Sequence, residues 1–253
     1  MGTPKSSSTA PQNIYDHPEF FTGYRALREA DSGLNGSLEQ PALRRLLPPL
    51  TDRRVLDLGC GFGDFARYAR YAGARSVVGI DVSRNMLSEA RRCTDDDAIT
   101  YVEAAIEDYR PPARTFDVVV SSLALHYVED YASLVVRVFD TLVPGGALVF
   151  SVEHPVCTAH PSGWVKSDDG GASHWPLDRY RDEGRRDTRW FVDGVVKYHR
   201  TVETYVSTLL DHGFILRRLS EPAPTAEALN ARPTLDRERR RPPFLLLSAS
   251  RPA

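Results

Sequence analysis

The sequence predicts an α/β protein built on a doubly wound, mostly parallel sheet of seven strands. Between residues 54 and 152, five short apolar runs alternate with segments of helical periodicity, which is typical of parallel βαβ units. A glycine-rich turn directly follows the first of these runs. Two further strands near the carboxyl terminus have no helical pattern between them, so we expect a helix-free hairpin that gives the sheet an antiparallel last strand.

Each predicted strand is a short apolar run bounded by turn residues or by a helical pattern. The strands are Val55–Leu58, Ser76–Ile80, Ile99–Val102, Phe116–Ser121, Ala147–Val152, Phe214–Leu219 and Phe244–Ser250. The predicted helices repeat apolar residues three or four positions apart. They cover Leu38–Leu47, Phe65–Ala72, Ser83–Arg92, Tyr131–Leu142 and Thr201–His212, and Tyr15–Ala30 forms an aromatic helix or a pair of turns.

The domain organisation follows from where the alternation of predicted strands and helices begins and where it is interrupted. Residues 1–12 are rich in Ser, Thr and Pro, and we expect a disordered tail. Residues 13–253 form a single domain, in which 13–50 is an N-terminal helical cap. Residues 155–200 lack clear periodicity and carry all three tryptophans. A stretch of this length inside a compact domain is usually functional, so we interpret it as a lid or substrate insertion.

Composition excludes several classes of protein. The net charge is −2 over 253 residues, which argues against a dedicated binder of nucleic acid or of an anionic membrane. The three cysteines form no CxxC pair, so neither a zinc cage nor a disulfide framework is expected. No run of eighteen apolar residues and no secretory h-region occur, and we expect a cytoplasmic protein.

The turn after the first strand carries Gly59, Gly61 and Gly63. Such glycines let the backbone approach a ligand closely, and the N–H groups of the next helix point to the same place. In the dinucleotide fingerprint the third glycine follows the second by three residues, whereas here it follows by two. The acids Asp57 and Asp64 would repel a diphosphate, but they tolerate a ligand with a cationic end.

These features together resemble the class I S-adenosylmethionine-dependent methyltransferases. The resemblance comprises Asp57 with the three glycines, the acid Asp81 that ends the second strand, and the Leu-Val-Pro-Gly-Gly turn at 142–146. It covers residues 50–155 closely and the last two strands loosely. It implies a Rossmann-like methyltransferase fold that binds S-adenosylmethionine, releases S-adenosylhomocysteine and needs no metal.

The resemblance also implies contacts to each part of the cofactor. Gly59 and Gly61 face the methionine part, and Asp81 holds the ribose hydroxyls. The residues expected around the adenine are Val82, Met86, Ile106 and Glu107. Many relatives have Asp at the position of Ala105, so Glu107 or a backbone carbonyl has to replace that acceptor here.

Four more side chains complete the predicted cofactor site. Ser121 and Ser122 end the fourth strand and are expected beside the sulfonium. Tyr24 and Arg28 lie one helical turn apart and either bind the cofactor carboxylate or form a solvated helix face.

Three residues are candidate catalytic groups. His126 and His154 follow the fourth and fifth strands, at the edge where such sheets bind ligands, and a histidine suits proton removal near neutral pH. Tyr15 lies in the segment that folds over the cofactor in related enzymes. Each has an alternative: His126 and Tyr15 as packing residues, and His154 as a turn residue before Pro155.

The predicted function is methyl transfer to a small molecule. The aromatic residues of the insertion, Trp164, Trp175, Tyr180 and Trp190, suit a lid over a flat acceptor such as an indole, attacked at O, N or ring carbon, although a small satellite core is the alternative. We expect a monomer or homodimer. Two other hypotheses stay open: a catalytically silent cofactor-binding regulatory module, and a nicotinamide-dependent oxidoreductase.

Overall fold

The computed structural model describes residues 11–30, 33–160, 163–168 and 170–253. Its eleven described strands are β1 Arg54–Leu58, β2 Ser76–Asp81, β3 Ile99–Glu103, β4 Phe116–Ser122, β5 Leu142–Glu153, β6 Val165–Lys166, β7 Ala172–His174, β8 Gly184–Trp190, β9 Val192–His199, β10 Ile215–Ser220 and β11 Phe244–Ser250. Its α-helices are α1 Pro18–Glu29, α2 Gln40–Leu46, α3 Asp64–Tyr71, α4 Arg84–Arg92, α5 Tyr131–Thr141, α6 Pro155–Thr158, α7 Val202–Asp211 and α8 Ala226–Ala231. None of the described helices is long and apolar enough to cross a membrane.

Seven strands form the central sheet in the order β10-β11-β5-β4-β1-β2-β3. The five strands from β3 to β5 are parallel, whereas β11 runs antiparallel to both β5 and β10. The prediction of a seven-stranded, mostly parallel sheet with an antiparallel last strand is therefore confirmed. Because β11 pairs on both sides, β10 is the edge strand.

Two details of the strands differ from the prediction. The last two strands are not joined without a helix, because α8 and a 3₁₀ segment, Pro233–Arg239, lie between them. Thr225 caps the N-terminus of α8, and its hydroxyl accepts from the Ala228 N–H. Strand β5 begins at Leu142 rather than Ala147, since the Pro-Gly-Gly turn continues the strand through a bulge opposite β4.

Apolar side chains pack on both faces of the sheet and form two separate layers. Leu56 and Leu58 of β1 belong to a cluster with α5 and α7, whereas Val55 packs on the other face with α2 and α3. Successive side chains of a strand point to opposite faces, so helices cover both sides of the sheet. The carboxyl ends of the parallel strands stay accessible at one edge.

The N-terminal segment is tied to the insertion. The Gln12 side chain accepts from the Val196 N–H of β9 at 2.7 Å and donates to the carbonyl of the same residue at 3.4 Å. Gln12, at the end of the segment predicted as a tail over 1–12, is thus held against β9. Residues 1–10 of that segment lie outside the described residues.

The insertion contains regular structure that its sequence did not predict. After α6 come two antiparallel hairpins, β6–β7 and β8–β9. Along β8 the inward positions carry Arg186, Thr188 and Trp190. Because Arg186 is charged and Thr188 is polar, the strand lacks the alternation of apolar and polar residues that predicts a half-buried strand.

We predict that Leu247→Ala destabilises the protein by about 2–5 kcal/mol, because it leaves a cavity in a strand that pairs on both sides. Leu219 is its partner on β10 and is 42% exposed, so Leu219→Ala is the matched control and should cost less than about 1 kcal/mol. Urea unfolding measures both. Equal losses would contradict this packing.

Candidate active site

A cavity of about 400 Å³ lies at the carboxyl ends of the parallel strands, under the N-terminal helical segment. This edge is where open α/β sheets bind ligands. Eleven of the twelve predicted cofactor-binding residues line it: Tyr24, Arg28, Asp57, Gly59, Gly61, Asp81, Val82, Met86, Ile106, Glu107 and Ser122. Ser121 is the exception.

The glycine loop between β1 and α3 forms the floor of this cavity. The N–H groups of Gly59 and Cys60 both donate to the Ile80 carbonyl at 2.9 Å, which fixes the loop to the end of β2. Gly59 has a φ of +76°, and a Cβ there would lie 2.4 Å from the Cβ of Ala124. Only glycine therefore fits between the loop and the segment after β4.

Asp81 ends β2 and receives hydrogen bonds from both sides. Its Oδ2 accepts from the Gly61 N–H and its Oδ1 from the Ser83 N–H, each at 2.9 Å. Burial raises the pKa of this carboxyl, while the two N–H groups oppose the rise. Ser83 caps α4 and also donates to Asp16 at 2.6 Å, so the N-terminal segment is anchored here.

Asp57 is a buried acid without a compensating partner. Only 1% of the residue is exposed, and its Oδ2 has no hydrogen-bond partner among the described residues. Burial raises its pKa to about 8, with further increases from the charges of Asp81, Asp64 and Glu39. Asp57 is therefore largely protonated in the free protein at neutral pH, and a ligand with positive charge in this cavity would favour its ionised form.

Arg28 and Asp64 form an ion pair at the opposite end of the glycine loop. The Arg28 guanidinium donates to Asp64 Oδ2 at 2.6 Å. Tyr24, one helical turn earlier, also lines the cavity, and burial raises its pKa to about 12, which keeps the phenol protonated. The structure thus brings Tyr24 and Arg28 to the cavity rather than leaving them on a solvated helix face.

The two serines at the end of β4 point to different places, as neighbours on a strand must. Ser121 is buried and donates to the Leu58 carbonyl at 2.8 Å, so it holds β4 to β1 and does not face the cavity. Ser122 lines the cavity and donates to Glu39 at 2.9 Å. Sequence reasoning missed the buried Glu39, because nothing in its local pattern marks a buried acid.

His126 lines the cavity and is buried. Its Nδ1 faces the Glu153 N–H at 3.4 Å, and a neutral ring in this arrangement carries its proton on Nε2. Burial lowers the pKa of His126 to about 4, so the ring is neutral at physiological pH. In this position His126 presents an N–H donor, not a basic lone pair.

The other two candidate catalytic residues have different surroundings. Tyr15 lines the cavity, its hydroxyl lies 3.4 Å from that of Tyr127, and burial raises its pKa well above the usual value. His154 lines neither this cavity nor the smaller one behind the β8–β9 hairpin. It caps α6 by accepting from the Val156 N–H at 3.1 Å, and its Nε2 lies 2.7 Å from Glu221.

The aromatic residues of the insertion divide into two groups. Trp190, at the end of β8, lines the cavity. Trp164 and Trp175 instead pack edge to face at 5.4 Å and stack with Arg241, forming a separate cluster. The Tyr180 hydroxyl accepts from the Val202 N–H at the start of α7. The described residues contain no group of three or more metal-ligating side chains.

Comparisons with known proteins agree with this geometry. A family profile described as a methyltransferase domain matches residues 56–150. The structure of an S-adenosylmethionine-dependent methyltransferase from Mesorhizobium loti is 47% identical, covers 87% of this chain and all of its own, and has a TM-score of 0.81. A structure from Listeria monocytogenes is 42% identical over 85% of this chain and 97% of its own, also with a TM-score of 0.81.

A curated relative carries the name of its substrate. The malonyl-[acyl-carrier protein] O-methyltransferase of Enterobacter lignolyticus is 40% identical over 110 residues, which are 44% of this chain and 43% of that protein. The fold and the site define a cofactor-binding α/β enzyme. With these relatives, the chain belongs to the class I S-adenosylmethionine-dependent methyltransferases, which removes the nicotinamide hypothesis.

The residues present fit S-adenosylmethionine. The unpartnered Asp57 oxygen and the neighbouring acids suit a cofactor that carries positive charge, and the glycine loop leaves room for it against the backbone. Asp81, Val82 and Met86, which the resemblance assigns to the ribose and the adenine, line the same cavity. When bound, the cofactor supplies an activated methyl group.

We predict that the stability of the free protein depends on the proton of Asp57. Its folded pKa of about 8 exceeds the ordinary value of 3.8, so the folded state binds this proton more tightly than the unfolded chain. The free energy of unfolding should therefore fall as pH rises between about 4 and 8, by up to about 1.4 kcal/mol per pH unit from this group. Asp57→Asn should remove that contribution.

Urea unfolding at about pH 6, 7 and 8 tests this dependence. The exposed Asp97 provides the matched control, because Asp97→Asn should leave the slope against pH unchanged. An unaltered slope in Asp57→Asn would show that Asp57 is ionised in the folded protein.

Proposed function

We propose that this methyltransferase acts on a small aromatic molecule, held between the N-terminal helical segment and the β8–β9 hairpin. The observation that carries the proposal is the set of aromatic rings beside the glycine loop. The rings that line the cavity include Tyr15, Tyr24, Phe62, Tyr127 and Trp190.

These rings contact one another mostly edge to face. Tyr15 meets Tyr24 with a centroid separation of 5.3 Å and Tyr127 at 6.2 Å, and Tyr24 meets Trp190 at 5.8 Å. Such contacts fix the rings while leaving faces for a flat ligand. Trp190 comes from the insertion, which supports the interpretation of the β8–β9 hairpin as a lid.

The relatives support a small acceptor but do not specify it. The Enterobacter enzyme acts, by its name, on malonyl-[acyl-carrier protein]. Its match covers less than half of either chain, so it does not identify the acceptor of this protein.

The protonation states of the candidate bases limit which kind of nucleophile the acceptor can carry. His126 offers an N–H donor, and the pKa of Tyr15 is raised, so neither accepts a proton readily near neutral pH. Alignment of two bound reactants contributes roughly 7–11 kcal/mol without any base. We therefore favour an acceptor whose nucleophile needs no prior proton removal by the protein: a neutral amine, an electron-rich ring carbon such as that of an indole, or an oxygen already ionised.

A panel of indoles, arylamines and phenols, with aliphatic amines and carboxylic acids for comparison, tests the acceptor class; the measurement is transfer of label from methyl-labelled S-adenosylmethionine. We expect turnover with at least one member, and a loss of about tenfold or more in kcat/KM for Trp190→Ala, which removes a wall of the cavity. Trp164→Ala, outside the cavity, is the matched control. Turnover of aliphatic acceptors alone would contradict the proposal, and no turnover at all would favour a silent binding module.

We predict that His126 acts by donating a hydrogen bond. His126→Gln keeps an N–H near the position of Nε2 and should retain kcat within about tenfold, whereas His126→Ala should lose more. Because the pKa of His126 is about 4, its protonation should not reduce kcat between about pH 6 and 8. A fall of kcat below about pH 6.5 that disappears in both variants would instead identify His126 as a base.

A further inference from the structure

A second cavity, of about 270 Å³, adjoins the first behind the β8–β9 hairpin. Glu153 and Trp190 line both cavities, so the two spaces share a wall. The remaining lining includes three cationic side chains, Arg186, Arg189 and Lys197. Whereas acids dominate around the glycine loop, positive charge dominates here.

The charges of this cavity are incompletely neutralised. Lys197 is paired with Glu153 at 2.5 Å, and this pairing raises the pKa of the ammonium group, although burial opposes the rise. Arg189 pairs with Asp193 only on the surface, where both side chains are more than 70% exposed and the pairing is weak. Arg186 donates to the carbonyls of Ala159, Arg185 and Asp182.

Arg186 forms no ion pair with a carboxylate of the described residues. Burial and the charge of Arg179 lower the pKa of its guanidinium, and the charge of Asp182 opposes this fall only in part. Lys197 is 7% exposed, and its ammonium group, which has three N–H donors, donates one hydrogen bond to Glu153. The described residues provide no second hydrogen-bond acceptor for this ammonium, which also lies 5.6 Å from the centroid of the Trp190 ring. Arg186 is its cross-strand partner, and a buried cation with spare donors opposite a guanidinium that lacks an ion pair is a site for anionic oxygens.

We infer that the second cavity binds an anionic group, a carboxylate or a phosphate, of the methyl acceptor. The inference rests on the proposed function, because it places the reacting part of the same molecule in the first cavity. Trp190 would pack against the portion that joins the two parts. Arg186 and Lys197 would then select acceptors that carry a negative charge at a distance from the methylated atom.

Titration calorimetry with inorganic phosphate and, separately, with succinate tests the site, on protein saturated with S-adenosylhomocysteine. We expect saturable millimolar binding of at least one anion, weakened about tenfold or more by Arg186→Gln. Arg185 is the matched control: it is the adjacent residue of the same strand, points outward and pairs with Asp187, so Arg185→Gln should change the Kd less than twofold. Arg186→Lys should restore part of the affinity.

The outcomes separate this inference from the proposed function. Tighter binding of phosphate supports a phosphorylated acceptor, and tighter binding of succinate supports a carboxylic acid. Absence of saturable binding of both anions, or equal loss in the Arg185 and Arg186 variants, would overturn the anion site. Retained binding of S-adenosylhomocysteine in Arg186→Gln shows that the variant is folded, and it leaves the aromatic acceptor proposal to its own test.

Discussion

The hydrogen bonds that join the glycine loop to the end of β2 are the constraint on which the site depends. The Ile80 carbonyl accepts two N–H groups of the loop, and the Asp81 carboxylate accepts a third. These bonds bring Asp57 and Asp81 to one cavity, although 23 intervening residues separate them in sequence. Gly59 makes the arrangement possible, because any side chain there would collide with Ala124. Strand order and loop composition together therefore create the cofactor cradle.

The charged side chains at the carboxyl edge of the sheet fall into two groups of opposite sign. Acids around the glycine loop, among them the unpartnered Asp57, favour a cofactor with positive charge. Behind Trp190 the sign reverses, with Arg186 and Lys197 in excess over Glu153. Between the two lies a neutral aromatic zone with His126 and Tyr127. A methyl acceptor with an anionic end and a neutral reacting end would be oriented by this change of charge. Such alignment of the two reactants lowers the reaction barrier without a strong base.

The sequence predicted the parts of the fold and site that depend on local periodicity and on loop composition. The strands of the parallel sheet follow from such patterns, and eleven of the twelve residues expected at the cofactor line the cavity. Ser121 points away from it, because periodicity alone does not decide which of two neighbouring serines faces the cavity. The β8–β9 hairpin was missed because its inward positions carry Arg186 and Lys197, and Glu39 because its burial depends on a tertiary contact with Ser122 and Ser151. Such features are fixed by packing between distant segments, which no local pattern records.

Calorimetric titration with S-adenosylmethionine and S-adenosylhomocysteine, on the unaltered protein and on Asp81→Asn, tests the central claim most directly. If the acids of the loop edge form the cofactor site, we expect micromolar binding of both ligands. We also expect a loss of about tenfold or more for both in Asp81→Asn, and no change in the exposed control Asp97→Asn. Unchanged affinity in Asp81→Asn would contradict the placement of the cofactor against the glycine loop.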